Sequence, residues 1–142
     1  MQQAIQDLFQ QYERQTNAAL AGKADIVALL ELYDDVFIGS SPTGVMTGKK
    51  DQEFQKALTA GFARNCQIGA RRMEIEAMRI EPIDTIHAVV HVDWRARYEL
   101  DDALRTIDFS NAYLTRVVDG KARVFGWITG DEEAELHKHG VI

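Results

Sequence analysis

Cysteine and proline are scarce in this chain, whose 142 residues include one cysteine, Cys66, and two prolines. A single thiol excludes an internal disulfide and any zinc or iron–sulfur site built from several cysteines. It is compatible with a reducing cytoplasm, where free thiols persist. With 46% hydrophobic and 27% charged residues, the composition is that of an ordinary globular domain, and we expect one domain over residues 1–142.

Basic residues and long apolar runs are also in short supply. The chain has 16 Lys and Arg against 22 Asp and Glu, and its net charge of −6 disfavours nucleic acid as a partner. No apolar run approaches the ~20 residues that a membrane-spanning helix requires, and the first residues do not have the pattern of a secretion signal. We therefore expect a cytoplasmic protein that makes no contact with a membrane.

Helical periodicity dominates the first part of the chain. Apolar residues recur at steps of three and four over residues 5–20, 24–32 and 54–62, which predicts three N-terminal helices. Between the second and third helices, Val36–Ile38 predicts a short strand, and Gly39–Gly44 predicts a loop because it contains proline between glycines.

A period of two replaces the helical period after Asn65. It predicts four long strands joined by short turns, of which Asp119-Gly120 is typical of a two-residue hairpin. Asp131 then predicts the start of a short C-terminal helix. Helices followed by an antiparallel meander indicate an α+β fold with the helices on one face of the sheet. The predicted strands cover about residues 68–81, 86–99, 104–118 and 121–129.

Four passages resemble the nuclear transport factor 2-like superfamily, which includes ketosteroid isomerases, scytalone dehydratases and SnoaL-like polyketide cyclases. They are Tyr33–Phe37, Gly44–Lys49, Val89–Trp94 and Val118–Trp127. The resemblance implies a cone-shaped α+β barrel, in which three N-terminal helices pack in the concave face of a strongly curved antiparallel sheet. It is specific for the fold rather than for an activity, because this superfamily contains several kinds of enzyme and many binding proteins.

Strand alternation sorts the side chains of the meander onto two faces. If Glu99 pairs with Leu104, the set that faces the helices is mainly aromatic with a few polar tips. Such a surface suits a small apolar or aromatic ligand, because burial supplies affinity and scattered polar groups fix orientation. A filled core is the alternative interpretation. The residues that we expect to contact a ligand are Tyr33, Phe37, Phe54, Leu58, Phe62, Trp94, Phe109, Asn111 and Ile128.

The opposite face of the same strands combines charged and apolar side chains. Leu114, Phe125 and Trp127 are expected to cluster there, and an apolar centre with a charged rim is typical of a protein–protein interface. We therefore predict a homodimer through this outer face. The alternative is a C-terminal segment folded over the same patch.

One candidate set for acid–base chemistry follows from the resemblance to ketosteroid isomerases. Asp35 shares a strand face with Phe37, so its carboxylate can act as a base at the cavity mouth. Tyr98 or Tyr113 can donate a hydrogen bond to a developing oxyanion. A solvated acid at the end of a helix is the alternative interpretation of Asp35.

The other candidate set is Asp93, Arg95 and Asp108. It resembles the Asp–Arg–Asp arrangement of limonene-epoxide-hydrolase-like members of the superfamily, in which an acid and a base flank a water molecule. The predicted register, however, places all three on the outer face. An Arg–Asp pair between neighbouring strands is then the simpler interpretation.

We expect neither a cofactor nor a metal ion. His87 and His91 share a strand face but lie roughly 13 Å apart at ~3.3 Å per residue, and the glycine spacing does not match a phosphate-binding loop. The preferred interpretation is a small protein that binds an apolar or aromatic metabolite. The alternatives are a cofactor-independent acid–base enzyme of isomerase, dehydratase, cyclase or epoxide hydrolase type, and an interaction protein whose interior is filled.

Overall fold

The computed structural model describes the whole chain, residues 1–142. Three helices precede the meander and one follows it, so the predicted α+β fold class is confirmed. The helices are α1 (Gln2–Leu20), α2 (Ile26–Leu30), α3 (Gln52–Gln67) and α4 (Glu132–Lys138). The strands are β1 (Tyr33–Ser41), β2 (Gly44–Lys49), β3 (Ala70–Pro82), β4 (His87–Leu100), β5 (Ala103–Val118) and β6 (Lys121–Ile128).

All six strands form one curled sheet that does not close into a barrel. The strand order is β2-β1-β6-β5-β4-β3, so β2 and β3 are the two edges. Neighbouring strands are antiparallel except β1 and β6, which run parallel. The predicted meander from β3 to β6 is therefore present, and a hairpin extends the sheet beyond β6.

That hairpin replaces the single short strand and loop expected from the sequence. β1 and β2 pair along their length, and only residues 42 and 43 remain in the turn. The prediction of a loop over Gly39–Gly44 was wrong because Gly39 does not serve a turn. It instead lets an aromatic ring approach the backbone, since a Cβ atom on Gly39 would lie 2.6 Å from Nε1 of Trp127.

The register of β4 and β5 is the predicted one. Trp94 lies opposite Phe109, and Arg95 lies opposite Asp108. Trp94 is 1% exposed, so the even-numbered side chains of β4 point towards the helices as expected. The inside and outside of the meander were therefore assigned correctly along these two strands.

A β-bulge changes the predicted faces of β6. The turn at residues 119 and 120, both with positive φ, aligns β5 and β6 as predicted as far as the pair of Thr115 and Val124. Beyond that pair the register shifts by one residue, and Leu114 lies opposite Gly126. Because side chains alternate along a strand, this shift exchanges the faces of the residues that follow.

The bulge changes the predicted faces of Trp127 and Ile128. Trp127 was expected on the outer face, but it packs inside, with its ring 5.3 Å from that of Phe37 and 5.8 Å from that of Tyr33. Ile128 was expected to contact a ligand, but it is 54% exposed and follows Trp127 on the opposite side of the strand. Both expectations were wrong for the same reason.

Helix α1 supplies the centre of the core and is fastened to the edge strand β3. The Asn17 amide donates to the carbonyl oxygen of Met73 and accepts from its N–H, each at 2.8 Å. Glu13 accepts a hydrogen bond from the N–H of Ile75 at 2.6 Å. These bonds fix the rotation of α1 on the sheet. The buried residues of the helix are Ile5, Leu8, Phe9, Thr16, Ala19 and Leu20.

Candidate functional site

A cavity of about 850 Å³ lies between the concave face of the sheet and helices α1, α3 and α4. Exposed residues of α3, Ala57 and Gly61, line part of it, so the cavity opens to solvent. Its volume is in the range of sites that bind small molecules. Six aromatic residues contribute to the wall: Tyr12, Tyr33, Phe62, Tyr98, Phe109 and Tyr113.

Helix α3 borders the cavity instead of closing a core. The helix begins after Asp51, whose carboxylate accepts a hydrogen bond from the N–H of Phe54 at 3.0 Å, and none of its residues is buried. Leu58 and Phe62 of its apolar face line the cavity and stay half-exposed. The apolar face of α3 therefore covers an open cavity and not a packed core.

The inner wall of the cavity carries a hydrogen-bonded group of side chains on α1 and the sheet. The hydroxyl oxygen of Tyr113 accepts from Nε1 of Trp94 at 2.9 Å and from Nδ2 of Asn111 at 3.3 Å. The hydroxyl of Tyr33 donates to that of Tyr12 at 3.4 Å. Asn111 thus satisfies its amide nitrogen within the protein, while its Oδ1 accepts no hydrogen bond from the chain.

The tyrosines of this wall are held in the neutral form. Burial raises the pKa of Tyr12 and of Tyr113 well above its ordinary value of 10, and the neighbouring tyrosines raise it further. Burial also raises the pKa of Tyr33 to about 12. At neutral pH these hydroxyls therefore remain hydrogen-bond donors as well as acceptors.

The mouth of the cavity carries a carboxylate that has no ion-pair partner. Glu132 is the first residue of α4, which begins after Asp131 as predicted, and it lines the cavity. The residue as a whole is exposed, yet the surrounding protein excludes enough water to raise the pKa of its carboxyl, and the charge of Glu133 raises it further. Arg64 counteracts part of this shift, but its guanidinium pairs with Glu133 instead.

Tyr98 lies beside Glu132 at the same mouth. The residue is 8% exposed, lines the cavity, and its hydroxyl forms no hydrogen bond with the protein. Burial raises its pKa, and the negative charge of Glu132 raises that pKa further. A carboxylate and a hydroxyl without protein partners therefore face the opening.

Comparisons with known proteins identify the family of this chain. The sequence model of an NTF2-like protein family, DUF6841, matches residues 2–132. The chain belongs to this NTF2-like family. The resemblance expected from the sequence is thereby confirmed, while none of the curated proteins matches the chain.

Solved structures agree with this NTF2-like assignment. An NTF2-like protein with a cystatin-like fold from Novosphingobium aromaticivorans aligns with a TM-score of 0.71 and 12% identity, over 99% of this chain and 88% of that one. A ketosteroid isomerase-like protein from Erwinia carotovora atroseptica aligns with a TM-score of 0.63 and 15% identity, over 89% and 92%. At such identities the likeness establishes the fold alone. None of the helices is both long and apolar enough to cross a membrane.

The structure of this NTF2-like chain places some of the predicted site residues around the cavity. Trp94, Phe37 and Phe54 do not line it: Trp94 is buried behind Tyr113, and Phe54 packs on Phe37 with ring centroids 4.5 Å apart. Those three residues support the wall and do not form its surface. The predicted residues that line the cavity are Tyr33, Leu58, Phe62, Tyr98, Phe109, Asn111 and Tyr113.

Asp35 does not reach the cavity. Its side chain is 89% exposed, and its nearest cation is Nζ of Lys50 at 3.9 Å. The expectation that it shares a face with Phe37 was wrong because the pairing of β1 is irregular between Tyr33 and Ile38, which interrupts the alternation of side chains. A carboxylate in that position is solvated and has no cavity to act in.

Asp93, Arg95 and Asp108 lie on the outer face, as the register predicted. Arg95 donates from Nε and Nη2 to the two carboxylate oxygens of Asp108, at 2.8 and 3.0 Å, and Ser110 donates to Asp93 at 2.5 Å. The Arg95 guanidinium lowers the pKa of Asp108 through these bonds. Asp108 borders the cavity opening, but its carboxylate is turned towards Arg95.

Two residues of the site were not singled out from the sequence. Tyr12 falls within the helix predicted over residues 5–20, and Glu132 directly follows the helix start predicted at Asp131, but neither was given a role in a site. The sequence could have indicated Tyr12 as a site residue, because a hydroxyl on the buried face of a helix needs a polar partner. It could not have indicated Glu132, because the position of Glu132 at the cavity depends on where α4 packs against the sheet.

Proposed function

We propose that this protein binds a small apolar or aromatic molecule in the cavity between the sheet and α1, α3 and α4. The observation that carries this proposal is the open volume of about 850 Å³ at the place where a filled core would otherwise be. Aromatic walls provide apolar contact area, and the free Oδ1 of Asn111 and the hydroxyl of Tyr98 provide polar contacts that can orient a ligand.

A larger side chain inside the cavity should weaken binding. Leu58 lines the cavity from α3, and we expect Leu58→Trp to weaken any bound compound at least about tenfold, since the indole would occupy the ligand volume. A thermal-shift screen with steroid-like and polycyclic compounds identifies the ligands, because binding to the folded state raises the melting temperature.

Ala60→Trp is the matched control for that substitution. Ala60 is on the same helix but exposed and outside the cavity lining, so the same indole there should leave affinity unchanged. A ligand that binds Leu58→Trp as tightly as the wild type contradicts binding in this cavity. A complete screen without a shift contradicts the binding proposal itself.

A cofactor-independent acid–base enzyme is the second candidate, and Glu132 is the observation that favours it. Proton abstraction next to a carbonyl needs a base whose pKa is raised towards neutrality and a donor for the oxyanion. Glu132 has the raised pKa and Tyr98 has a free hydroxyl beside it. In this candidate Glu132 takes the proton, the Tyr98 hydroxyl stabilises the enolate oxygen, and Glu132 returns the proton.

Hydrogen–deuterium exchange separates the enzyme from the binder. If the second candidate holds, the protein speeds deuterium uptake at the α-carbons of 2-tetralone in D₂O, and Glu132→Gln loses that acceleration. NMR spectroscopy of the ketone measures the exchange. Equal rates with protein and with buffer alone contradict the enzyme and leave the binder.

We also propose that the protein forms a homodimer through the outer face of the sheet. The apolar centre of that face differs from the one expected: Ile38 and Leu114 meet over Gly126, whose missing Cβ would lie 2.8 Å from Leu114 and 3.1 Å from Ile38. Phe125 packs against His87, with ring centroids 5.9 Å apart, and Ile128 is 54% exposed. The rim carries both signs of charge, which allows a two-fold arrangement to pair unlike charges.

Sedimentation equilibrium tests the dimer. We expect a dimer at micromolar concentration, and Ile38→Arg should convert it to a monomer, because a charge would then be buried at the centre of the contact. Val27→Arg is the control, since Val27 is 70% exposed on α2, away from the sheet face. A wild-type monomer at these concentrations contradicts the proposal.

We propose that the protein is located in the cytoplasm. Cys66 supports it as a free thiol, which donates a hydrogen bond to the carbonyl oxygen of Leu20 at 3.4 Å. Fractionation of the source cells should find the protein in the cytosol, and recovery from a membrane or secreted fraction contradicts this.

A further inference from the structure

Two polar groups at the cavity mouth, the Glu132 carboxylate and the Tyr98 hydroxyl, have no hydrogen-bond partner in the protein. The Glu132 carboxylate accepts no hydrogen bond and joins no ion pair, although it lines the cavity. Tyr98 is 8% exposed and lines the cavity, and its hydroxyl oxygen is accessible there and has no hydrogen-bond partner in the protein. The Glu132 carboxylate and the Tyr98 hydroxyl therefore both have hydrogen-bonding capacity at the opening that a ligand can use.

The charges around this mouth are mainly negative. Arg64 faces Glu132 from α3, but Glu133 holds its guanidinium. His139 is engaged with Glu135, with Nδ1 at 2.9 Å from the carbonyl oxygen. The charged residues of the lining are Arg64, Asp108, Asp131, Glu132, Glu135 and Lys138. Because the Asp108 carboxylate pairs with Arg95 on the outer face, three carboxylates stand against two permanent cations at the opening.

We propose that the natural ligand is an organic cation, an ammonium group on an aromatic or apolar body, with its nitrogen at Glu132 and Tyr98 and its body in the cavity. This inference rests on the proposed binding function and names the ligand class. The ammonium N–H groups donate to a Glu132 carboxylate oxygen and to the Tyr98 hydroxyl oxygen, which supplies both missing partners.

The rest of the cavity favours the same class of ligand. The rings of Phe109 and Phe62 line the wall, and aromatic faces attract a cation within about 6 Å of the ring centre. The net charge of −6 attracts positively charged molecules over a longer range. A neutral compound of the same shape keeps the apolar contacts but leaves the carboxylate without a partner.

Three naphthalene probes that differ in charge test the inference. They are 1-naphthylmethylamine as the cation, 1-naphthylmethanol as its neutral analogue and 1-naphthoate as the anion, measured by isothermal titration calorimetry at pH 7.5. We expect the amine to bind about tenfold more tightly than the alcohol, the ratio that a charge-assisted hydrogen bond supplies. The carboxylate should bind most weakly of the three.

Glu132→Gln and Glu53→Gln provide a matched pair of variants. Each removes one exposed carboxylate from the first turn of a helix, but only Glu132 lines the cavity. Glu132→Gln should remove the preference for the amine. Glu53→Gln should keep the preference.

The results distinguish the proposal of a cationic ligand from the proposal that the cavity binds a small molecule at all. Equal affinities for amine and alcohol, or an amine affinity that Glu132→Gln does not change, overturn the cation inference while the cavity still binds. Absence of binding by all three probes, together with a thermal-shift screen without a hit, overturns both.

Discussion

Trp94→Ala should lower the free energy of unfolding by about 3–5 kcal/mol, the usual loss for a large buried aromatic side chain. Trp94 is 1% exposed at the centre of β4 and donates to the Tyr113 hydroxyl. Its removal leaves a cavity beneath the inner wall and takes away one of the two donors to that hydroxyl. Chemical denaturation measures the loss.

Trp127→Ala is the control for that loss. Trp127 is only half-buried, and its ring packs against that of Phe37 in a tilted arrangement, without a hydrogen bond to the inner wall. We expect a clearly smaller loss of stability. Equal losses at the two positions would contradict the role of Trp94 as the support of the wall.

The protein should unfold cooperatively as the pH rises from about 10 through about 12. The folded-state pKa of Tyr33 is raised to about 12 from 10, so the folded state holds the proton more tightly than the unfolded state. The stability is therefore complete below pH 10 and falls as the pH rises towards 12, by about 3 kcal/mol for this one tyrosine. Tyr12 and Tyr113 act in the same direction.

Tyrosinate absorbance at 295 nm and far-UV circular dichroism follow this transition together. All four tyrosines of the chain have a raised pKa. We therefore expect tyrosinate to appear only as the ellipticity is lost. Tyrosinate that forms near pH 10 in a protein with native ellipticity would contradict the burial of these hydroxyls.

The fold was largely predictable because strand alternation and turn chemistry are local. The pairing of Trp94 with Phe109 follows from the turn between β4 and β5, and that single register assigns the two faces of the meander. The turn at residues 119 and 120 likewise fixes the first half of the pairing between β5 and β6. Each of these features depends on a few neighbouring residues.

The irregular positions were not predictable from the same patterns. The irregular pairing after Tyr33 interrupts the alternation without a glycine or proline to mark it, whereas Gly126 directly follows the bulge at Phe125. An isolated glycine in a strand is compatible with a bulge but also with a regular strand, so alternation alone does not give the shift. Both irregularities arise where parallel pairing of β1 with β6 meets antiparallel pairing of β6 with β5. The errors at Trp127, Ile128 and Asp35 all follow from these two places.

The cavity itself was predicted only in part. The aromatic set on the inner face is equally consistent with a filled core, and the difference lies in how far α3 and α4 stand from the sheet. Residues on the long strands, such as Phe109 and Tyr113, were placed correctly because the register fixes them. Glu132 was missed because the path of the chain after β6 decides which side of α4 faces the opening.

Nuclear Overhauser effects between a bound ligand and the protein are the most direct measurement of where binding occurs. With the compound that gives the greatest thermal shift, we expect contacts to Leu58, Phe109 and Tyr113, which line the cavity from α3 and β5. Contacts confined to Leu114 and Ile128 on the outer face would place the ligand on the wrong side of the sheet and contradict a binding site within the cone.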